Sequence, residues 1–394
     1  MIYLDNAATS WPKPETVYQA VDACLRQVPG NPGRGAYAAA RNAAMIVNRA
    51  RELAARLINA PDPSTVAFMA NATEALNTAL FGILNPGDLV IADPLAHNAV
   101  ARPLRELVDA GVRLQVLPVD RSGGPSLAAL AAALPAKPKA VVLTHASNVT
   151  GSLTDIAAAG KLAAAAGAVL IVDAAQTIGF AEIDVQAWHV DLLAFSGHKG
   201  LLGPQGTGGL FVRPGLSLRG RRFGGTGSLS ESDRQPEFMP DRLESGTPNT
   251  PGLAGLAAGI EYIMNVGLSA LAAREAALTE QILAGLEEVP GARIIGPGQG
   301  MPRAPVVSFV LDGLDCGAVA HLLDRDFGIA CRAGLHCAPW AHISCGTLAT
   351  GTVRVSPGCF NTAKDIETLI DALQQIARLS QGPGAVSRRK AHAP

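Results

Sequence analysis

At 394 residues the chain is longer than a single hydrophobic core usually grows, so two domains are expected. Its formal net charge of -1 and 48% hydrophobic content fit a soluble globular enzyme and exclude a strong electrostatic footprint for nucleic acid or an anionic membrane. The opening MIYLDNAATS has neither the basic region nor the apolar core of a secretion signal, and the longest apolar runs are strand-sized. The six cysteines therefore read as reduced thiols rather than a disulfide framework, and a cytoplasmic protein is expected.

From about residue 65 to 215, short apolar runs alternate with Ala-rich helical stretches. STVAFMA, DLVIADP, RLQVLPV, KAVVLTHAS, AVLIVDAA and DLLAFSG read as strands, with helices such as 126–135 and 156–167 between them. This alternation predicts an α/β domain around a mainly parallel, buried sheet, whose ligands lie beyond the carboxyl ends of the strands. Residues 216–251, rich in Gly, Ser, Pro and charge, read as a long functional loop. Helices over LAGLAAGIEYIMNVG and SALAAREAALTEQILAGLEEV lead into a smaller α/β unit. Its strands are VVSFVL, GIACRA and GTVRVS, and its helices lie at 315–326 and 363–379. The tail PGAVSRRKAHAP, residues 383–394, reads as disordered.

Polar residues gather where such a sheet would place a ligand. Asp173 follows the run AVLIV, where a carboxylate is costly unless it meets a cation or a donor, or caps a helix. Lys199 follows DLLAF and precedes glycines. Lys13, Lys137, Lys139, Lys161, Lys364 and Lys390 instead stand in polar or Pro-rich surroundings, as surface lysines do. An aspartate for a pyridinium nitrogen and a lysine for an aldehyde are what pyridoxal phosphate requires; the plainer reading of Lys199 is a snorkelling side chain. NATEALN (71–77) offers a small-residue turn opening a helix, with Thr73 as a hydroxyl for a phosphate or as part of a capping box with Glu74. His97 could stack on a ring or be structural.

In this order, from IYLDNAATSWPKPE through GTVRVSPGCFNTAKDIE, the motifs make the chain resemble the class V aminotransferases, a family of fold-type I pyridoxal phosphate enzymes. Among these it resembles the second group of cysteine desulfurases and selenocysteine lyases. The resemblance implies a homodimer of α/β chains with a mainly parallel seven-stranded sheet and a smaller C-terminal α/β domain. Residues 15–255 would form the large domain, and the arm 1–14 would pack with the small domain, 256–382. Lys199 would carry the cofactor, Asp173 would face the pyridinium nitrogen, Gln176 the phenolic oxygen and His97 the ring. Thr73, Ser196, His198 and the Ala72 N–H would hold the phosphate, joined by Thr247 of the neighbouring subunit. Asn148 and Arg354 would take the substrate carboxylate. Arg332, and Arg34 of NPGRGAY near the mouth, would help bind substrate, a solvated loop arginine being the plainer reading of Arg34.

CRAGLHCAPWAH (331–342) discriminates within the family, because a transaminase needs no cysteine there. The second-group run Arg–x–Gly–His–His–Cys reads here Arg332, Ala333, Gly334, Leu335, His336, Cys337. Cys337 would be the sulfur-accepting nucleophile, with Arg332 and His336 favouring its thiolate. Leu335 replaces the first histidine, and Ala96 stands where relatives often have a glutamate. The alternatives for Cys337 are a buried structural thiol or a zinc ligand, although the cysteine spacings are irregular. The resemblance therefore implies conversion of L-cysteine to L-alanine, with a Cys337 persulfide passed to an acceptor protein or thiol. L-selenocysteine is the alternative substrate, a class V aminotransferase or β-lyase reaction without persulfide chemistry is the alternative activity, and no metal is expected.

Overall fold

In a computed structural model the described residues are 1–121 and 123–381, so the tail expected to be disordered lies outside them. The strands in chain order are β1 (Ile2–Tyr3), β2 (Val66–Met69), β3 (Leu89–Ala92), β4 (Arg113–Val116), β5 (Ala140–Thr144), β6 (Val169–Asp173) and β7 (Leu192–Ser196). They continue with β8 (Gly208–Val212), β9 (Ala292–Ile295), β10 (Val307–Leu311), β11 (Ile329–Ala330), β12 (Arg332–Gly334) and β13 (Thr352–Val355). The helices are α1 (Glu15–Gln27), α2 (Ala38–Leu57), α3 (Ala72–Ile83), α4 (Asn98–Asp109), α5 (Leu127–Ala133) and α6 (Ile156–Ala165). They end with α7 (Thr250–Val266), α8 (Leu268–Glu287), α9 (Cys316–Phe327), α10 (Pro339–Ser344) and α11 (Ala363–Gln381).

Seven strands form the large sheet in the order β2-β8-β7-β6-β5-β3-β4. Only β8 runs against its neighbours; the other pairings are parallel. The strands are nearly continuous apolar runs because both faces are covered. Alternate side chains serve opposite cores: Val141, Leu143, Leu170, Val172, Leu193 and Phe195 face one way, packed with α2, α6 and α7. Val142, Ile171, Leu192, Ala194 and Leu210 face the other, under α3 and α4. Each fully buried Phe or Leu contributes roughly 1.5–3 kcal/mol of transfer free energy to this packing.

The second sheet, β12-β13-β10-β9, is antiparallel and packs with α8, α9 and α11 around Val307, Phe309, Leu323, Val353 and Leu369. The chain's start joins it: β1 pairs in parallel with β11, and Leu4 is wholly buried in that core. The run GIACRA, expected as one strand, is two, since β11 pairs with β1 whereas β12 pairs with β13. No strand or helix occurs between Val212 and Thr250, in keeping with the long loop expected over 216–251. Among the described residues no single helix is long and apolar enough to cross a membrane.

Candidate active site

Strands β5, β6 and β7 end side by side, and their C-terminal residues converge. Asp173, the last residue of β6, is 5% exposed, and its Oδ1 accepts the Ala175 N–H at 2.9 Å. No helix follows, so the capping alternative falls away. Burial pushes its carboxyl above the usual range, opposed by the Ala175 N–H and by the charge of Lys199. One strand over, Ser196 ends β7 and the turn Gly197–His198–Lys199 begins. A Cβ on Gly197 would stand 2.2 Å from Thr207 Oγ1, so only glycine lets this turn pack so closely.

Lys199 reaches back into the converging strand ends. Desolvation pulls its ammonium down to about 8, ahead of the raising effect of Asp173, with Arg354 and Arg332 lowering it further. The amine is therefore far closer to its free-base form at neutral pH than an ordinary lysine.

Ser196 Oγ accepts the Ala72 N–H at 3.1 Å, which places that hydroxyl at the N-terminus of α3. Asn71 caps the helix by accepting the Glu74 N–H at 2.9 Å, and Thr73 lies exposed in the first turn. Nearby, His198 Nδ1 is buried without a hydrogen-bond partner. Its ring is held neutral by burial, then by the charges of Lys199 and Lys13, with its pKa lowered to about 4. Helix N–H groups, a hydroxyl and an orphaned imidazole nitrogen together make a place for an anion.

His97 begins α4 as its cap, its Nδ1 accepting the Ala99 N–H at 3.0 Å. Burial and the charges of Lys199, Arg332, Arg354 and Arg102 lower its pKa to about 4, so the ring is neutral. Its turn is braced by Asp93, whose Oδ1 accepts the Leu95 N–H at 2.6 Å and whose Oδ2 accepts the Thr144 N–H at 2.8 Å. Gln176 donates to the Ala7 carbonyl at 3.0 Å, tying the site to the N-terminal arm.

The arm does more than pack. Asp5 accepts from Arg354 Nη2 at 2.6 Å, and Arg354 Nη1 donates to the Asn148 carbonyl at 3.1 Å, leaving Nε unpaired in a side chain 1% exposed. Lys13, expected at the surface, is partly buried instead: its Nζ donates to Ser10 Oγ at 2.7 Å and to the His198 carbonyl at 3.0 Å. Desolvation brings its pKa down to about 8. The Pro-rich neighbourhood of Lys13 is a strap across the Lys199 turn. A cavity of about 50 Å³ runs past Lys199 and Gln176 to Glu275 and Cys359. Burial pushes the Glu275 carboxyl up to about 8, against the Cys359 N–H and the Arg274 charge.

Cys337 arrives from the other sheet. The turn after β12 carries two successive non-glycine residues in the left-handed region, His336 at φ 48° and Cys337 at φ 58°, a conformation costing roughly 1 kcal/mol or more per residue. It is pinned from both sides. Asn98 N–H donates to the Cys337 carbonyl at 2.7 Å, and Asn148 Nδ2 to the His336 carbonyl at 2.7 Å. The thiol is exposed, and Arg332 Nη2 lies 3.4 Å from Sγ. His336 does not serve that thiol as expected. Its ring is buried, hydrogen-bonded through Nε2 to Thr352 Oγ1 at 2.9 Å, and kept neutral by desolvation and Arg354, with its pKa near 2. The left-handed turn sends residues 336 and 337 to opposite sides.

Lys199, Asp173, Ser196, His198, Ala72, Gln176, His97, Asn148, Arg354, Arg332 and Cys337 thus surround one region. Thr247 and Arg34 do not join them within the chain; they line a separate recess, where Thr247 Oγ1 accepts from Asn31 at 3.2 Å and Arg34 donates to the Gly225 carbonyl at 2.8 Å.

The sequence matches the family described as Aminotransferase class-V over residues 2–369. The chain belongs to the class V aminotransferase family. It is 34% identical over 382 residues to a probable cysteine desulfurase of Methanothermobacter thermautotrophicus, covering 95% of this chain and 94% of that relative. It is 33% identical to a cysteine desulfurase of Serratia proteamaculans, over 96% and 94% of the two chains. The apo structure of cysteine desulfurase from Thermococcus onnurineus NA1 superposes with a TM-score of 0.90 at 33% identity, over 96% of this chain and 94% of that one. This class V member therefore has the fold of fold-type I pyridoxal phosphate enzymes.

Proposed function

We propose that this chain is a pyridoxal phosphate-dependent cysteine desulfurase that converts L-cysteine to L-alanine and leaves the sulfur on Cys337. The observation that carries the reading is an exposed thiol on a doubly pinned turn, facing Arg332 and joined through Asn148 and Asn98 to the elements that hold the Lys199 pocket.

The residues fit the cofactor. Ser196 Oγ, the α3 N-terminus with Ala72 and Thr73, and the partnerless His198 Nδ1 would take its phosphate. The Asp173 carboxylate, with a single hydrogen bond among the described residues, has a second oxygen to hold the proton at the ring nitrogen. Gln176 would face the phenolic oxygen, and neutral His97 would supply an uncharged stacking face. When bound, the cofactor withdraws electrons from the substrate's Cα and so weakens the Cα–H and Cβ–S bonds.

The chain's own residues do the rest. Arg354 receives the substrate carboxylate at its unpaired Nε and at Nη2 in exchange with Asp5. The Lys199 amine, its pKa about 8, takes the Cα proton. The Cys337 sulfur attacks the substrate sulfur, so an S–S bond forms as the Cβ–S bond breaks. Cβ gains a proton, and alanine leaves.

A second copy completes the site. Thr247 and Arg34 sit on a face bearing exposed Tyr37, Met45 and Phe223, and a homodimer with that face inside would bring Thr247 to the partner's phosphate. Turnover of L-cysteine by wild type and Cys337→Ala, with alanine and sulfide both measured, tests the reading. Wild type is expected to make both, and the variant to lose at least roughly 100-fold in rate. Full turnover by the variant contradicts it.

A further inference from the structure

The Cys337 thiol lines a surface groove of about 930 Å³. One wall is α4 and β4, with Arg102, Arg105, Arg113 and Leu114; the other is the turn after β12 with Cys337, and α10 with Trp340. No carboxylate lines the groove among its described residues. Arg105 is paired with Asp109 at 3.0 Å, while Arg102 and Arg113 form no ion pair among the described residues. β4 is the terminal strand of its sheet and, among the described residues, pairs only with β3. Leu335, 38% exposed, adds apolar surface to the groove. A chain with net charge -1 has thus collected unpaired cations, a free strand edge and apolar side chains around one thiol.

Building on the desulfurase reading, we propose that this groove docks an extended acidic segment of an acceptor protein, which carries a cysteine to Cys337. The guanidinium groups attract and align the segment, and the apolar wall and strand edge favour a polypeptide over a free anion. The acceptor thiolate then attacks the outer sulfur of the Cys337 persulfide. The S–S bond to Cys337 breaks as one to the acceptor forms; the Cys337 sulfur leaves with the electron pair and takes the proton that the acceptor thiol gave up. No net oxidant or reductant is needed.

The test uses full-length enzyme loaded with cofactor and cysteine, and three peptides with one cysteine flanked by glutamates, lysines or serines. Persulfide on the peptide is followed by mass spectrometry, and alanine release with dithiothreitol is read in parallel. The glutamate peptide is expected to accept sulfur about tenfold faster than the lysine peptide at low salt. That ratio should fall toward one at roughly 1 M salt, where the Debye length is about 3 Å. Arg102→Gln/Arg113→Gln should abolish the ratio and Arg102→Glu/Arg113→Glu invert it, both with alanine release in dithiothreitol unchanged. Equal rates for the three peptides, or a ratio untouched by both variants, overturn the proposal. So does a change of oligomeric state in either variant by light scattering, which would make the face an interface between copies. Absence of alanine in wild type with dithiothreitol overturns the desulfurase reading beneath it.

Discussion

The Lys199 pocket and the Cys337 turn solve opposite problems. Lys199 stands at the end of a central strand, where burial strips water from its amine and from Asp173. Cys337 stands exposed on a turn from the other sheet, its strained backbone held by Asn98 and Asn148. Proton chemistry needs a dry, tuned amine; sulfur hand-over needs a thiol that a partner can reach. The difference shows why the fold spends two sheets on one site: desolvation and accessibility cannot be met at the same spot.

Substitutions at the buried pole should have the largest effects. Lys199→Ala is expected to lower cysteine turnover by roughly 10³-fold or more and to remove the visible absorbance of the lysine-bound cofactor. The cofactor-free protein offers a subtler probe. Because only the free amine reacts with the aldehyde, loading should speed up about tenfold per pH unit to about pH 8 and then level off. A rate still climbing at pH 10 would mean an ordinary lysine.

Between the poles, Arg354→Lys keeps the charge and loses the fork. It should raise KM for cysteine roughly tenfold while changing kcat less, as steady-state kinetics would register. The smallest effect concerns Glu275, whose folded pKa of about 8 lies above its ordinary value of 4.5. A raised carboxyl stabilises the fold most below its unfolded pKa, and that contribution is lost as pH rises through about 8. Between these limits the wild-type Tm should therefore fall further than that of Glu275→Gln, by roughly 3 °C, which thermal unfolding across that range can check.

Much of the buried pole was legible in the sequence, because buried parallel strands are apolar runs and their polar exits stand out. AVLIV before Asp173 and DLLAF before Lys199 are such runs. β8 was not named among the strands, because its GGLFV opens on glycines that pass for loop; a Cβ on Gly208 would lie 2.7 Å from Asn71 Cα. The helix α4 was not named among the helices although Val100, Leu104 and Leu107 recur at helical spacing, and the Asp93 brace of His97 left no pattern of its own. The exposed pole was legible in its residue types but not in its geometry. His336 adjoins Cys337 in sequence, yet two left-handed residues turn it toward Thr352. Asp5 and Arg354, 349 residues apart, meet only through the pairing of β1 with β11 and the Asp5–Ser356 bridge. Lys13 misled because a strap of loop and a solvated loop have the same composition.

The central claim is that sulfur passes from substrate to the exposed pole. The most direct measurement mixes the cofactor-loaded enzyme with L-cysteine in the absence of any acceptor, then maps mass gains on its cysteine-containing peptides. The account predicts one added sulfur atom on the peptide containing Cys337, formed together with alanine. Alanine released with no added sulfur there, or with the sulfur on Cys331, Cys345 or Cys359 instead, would contradict it.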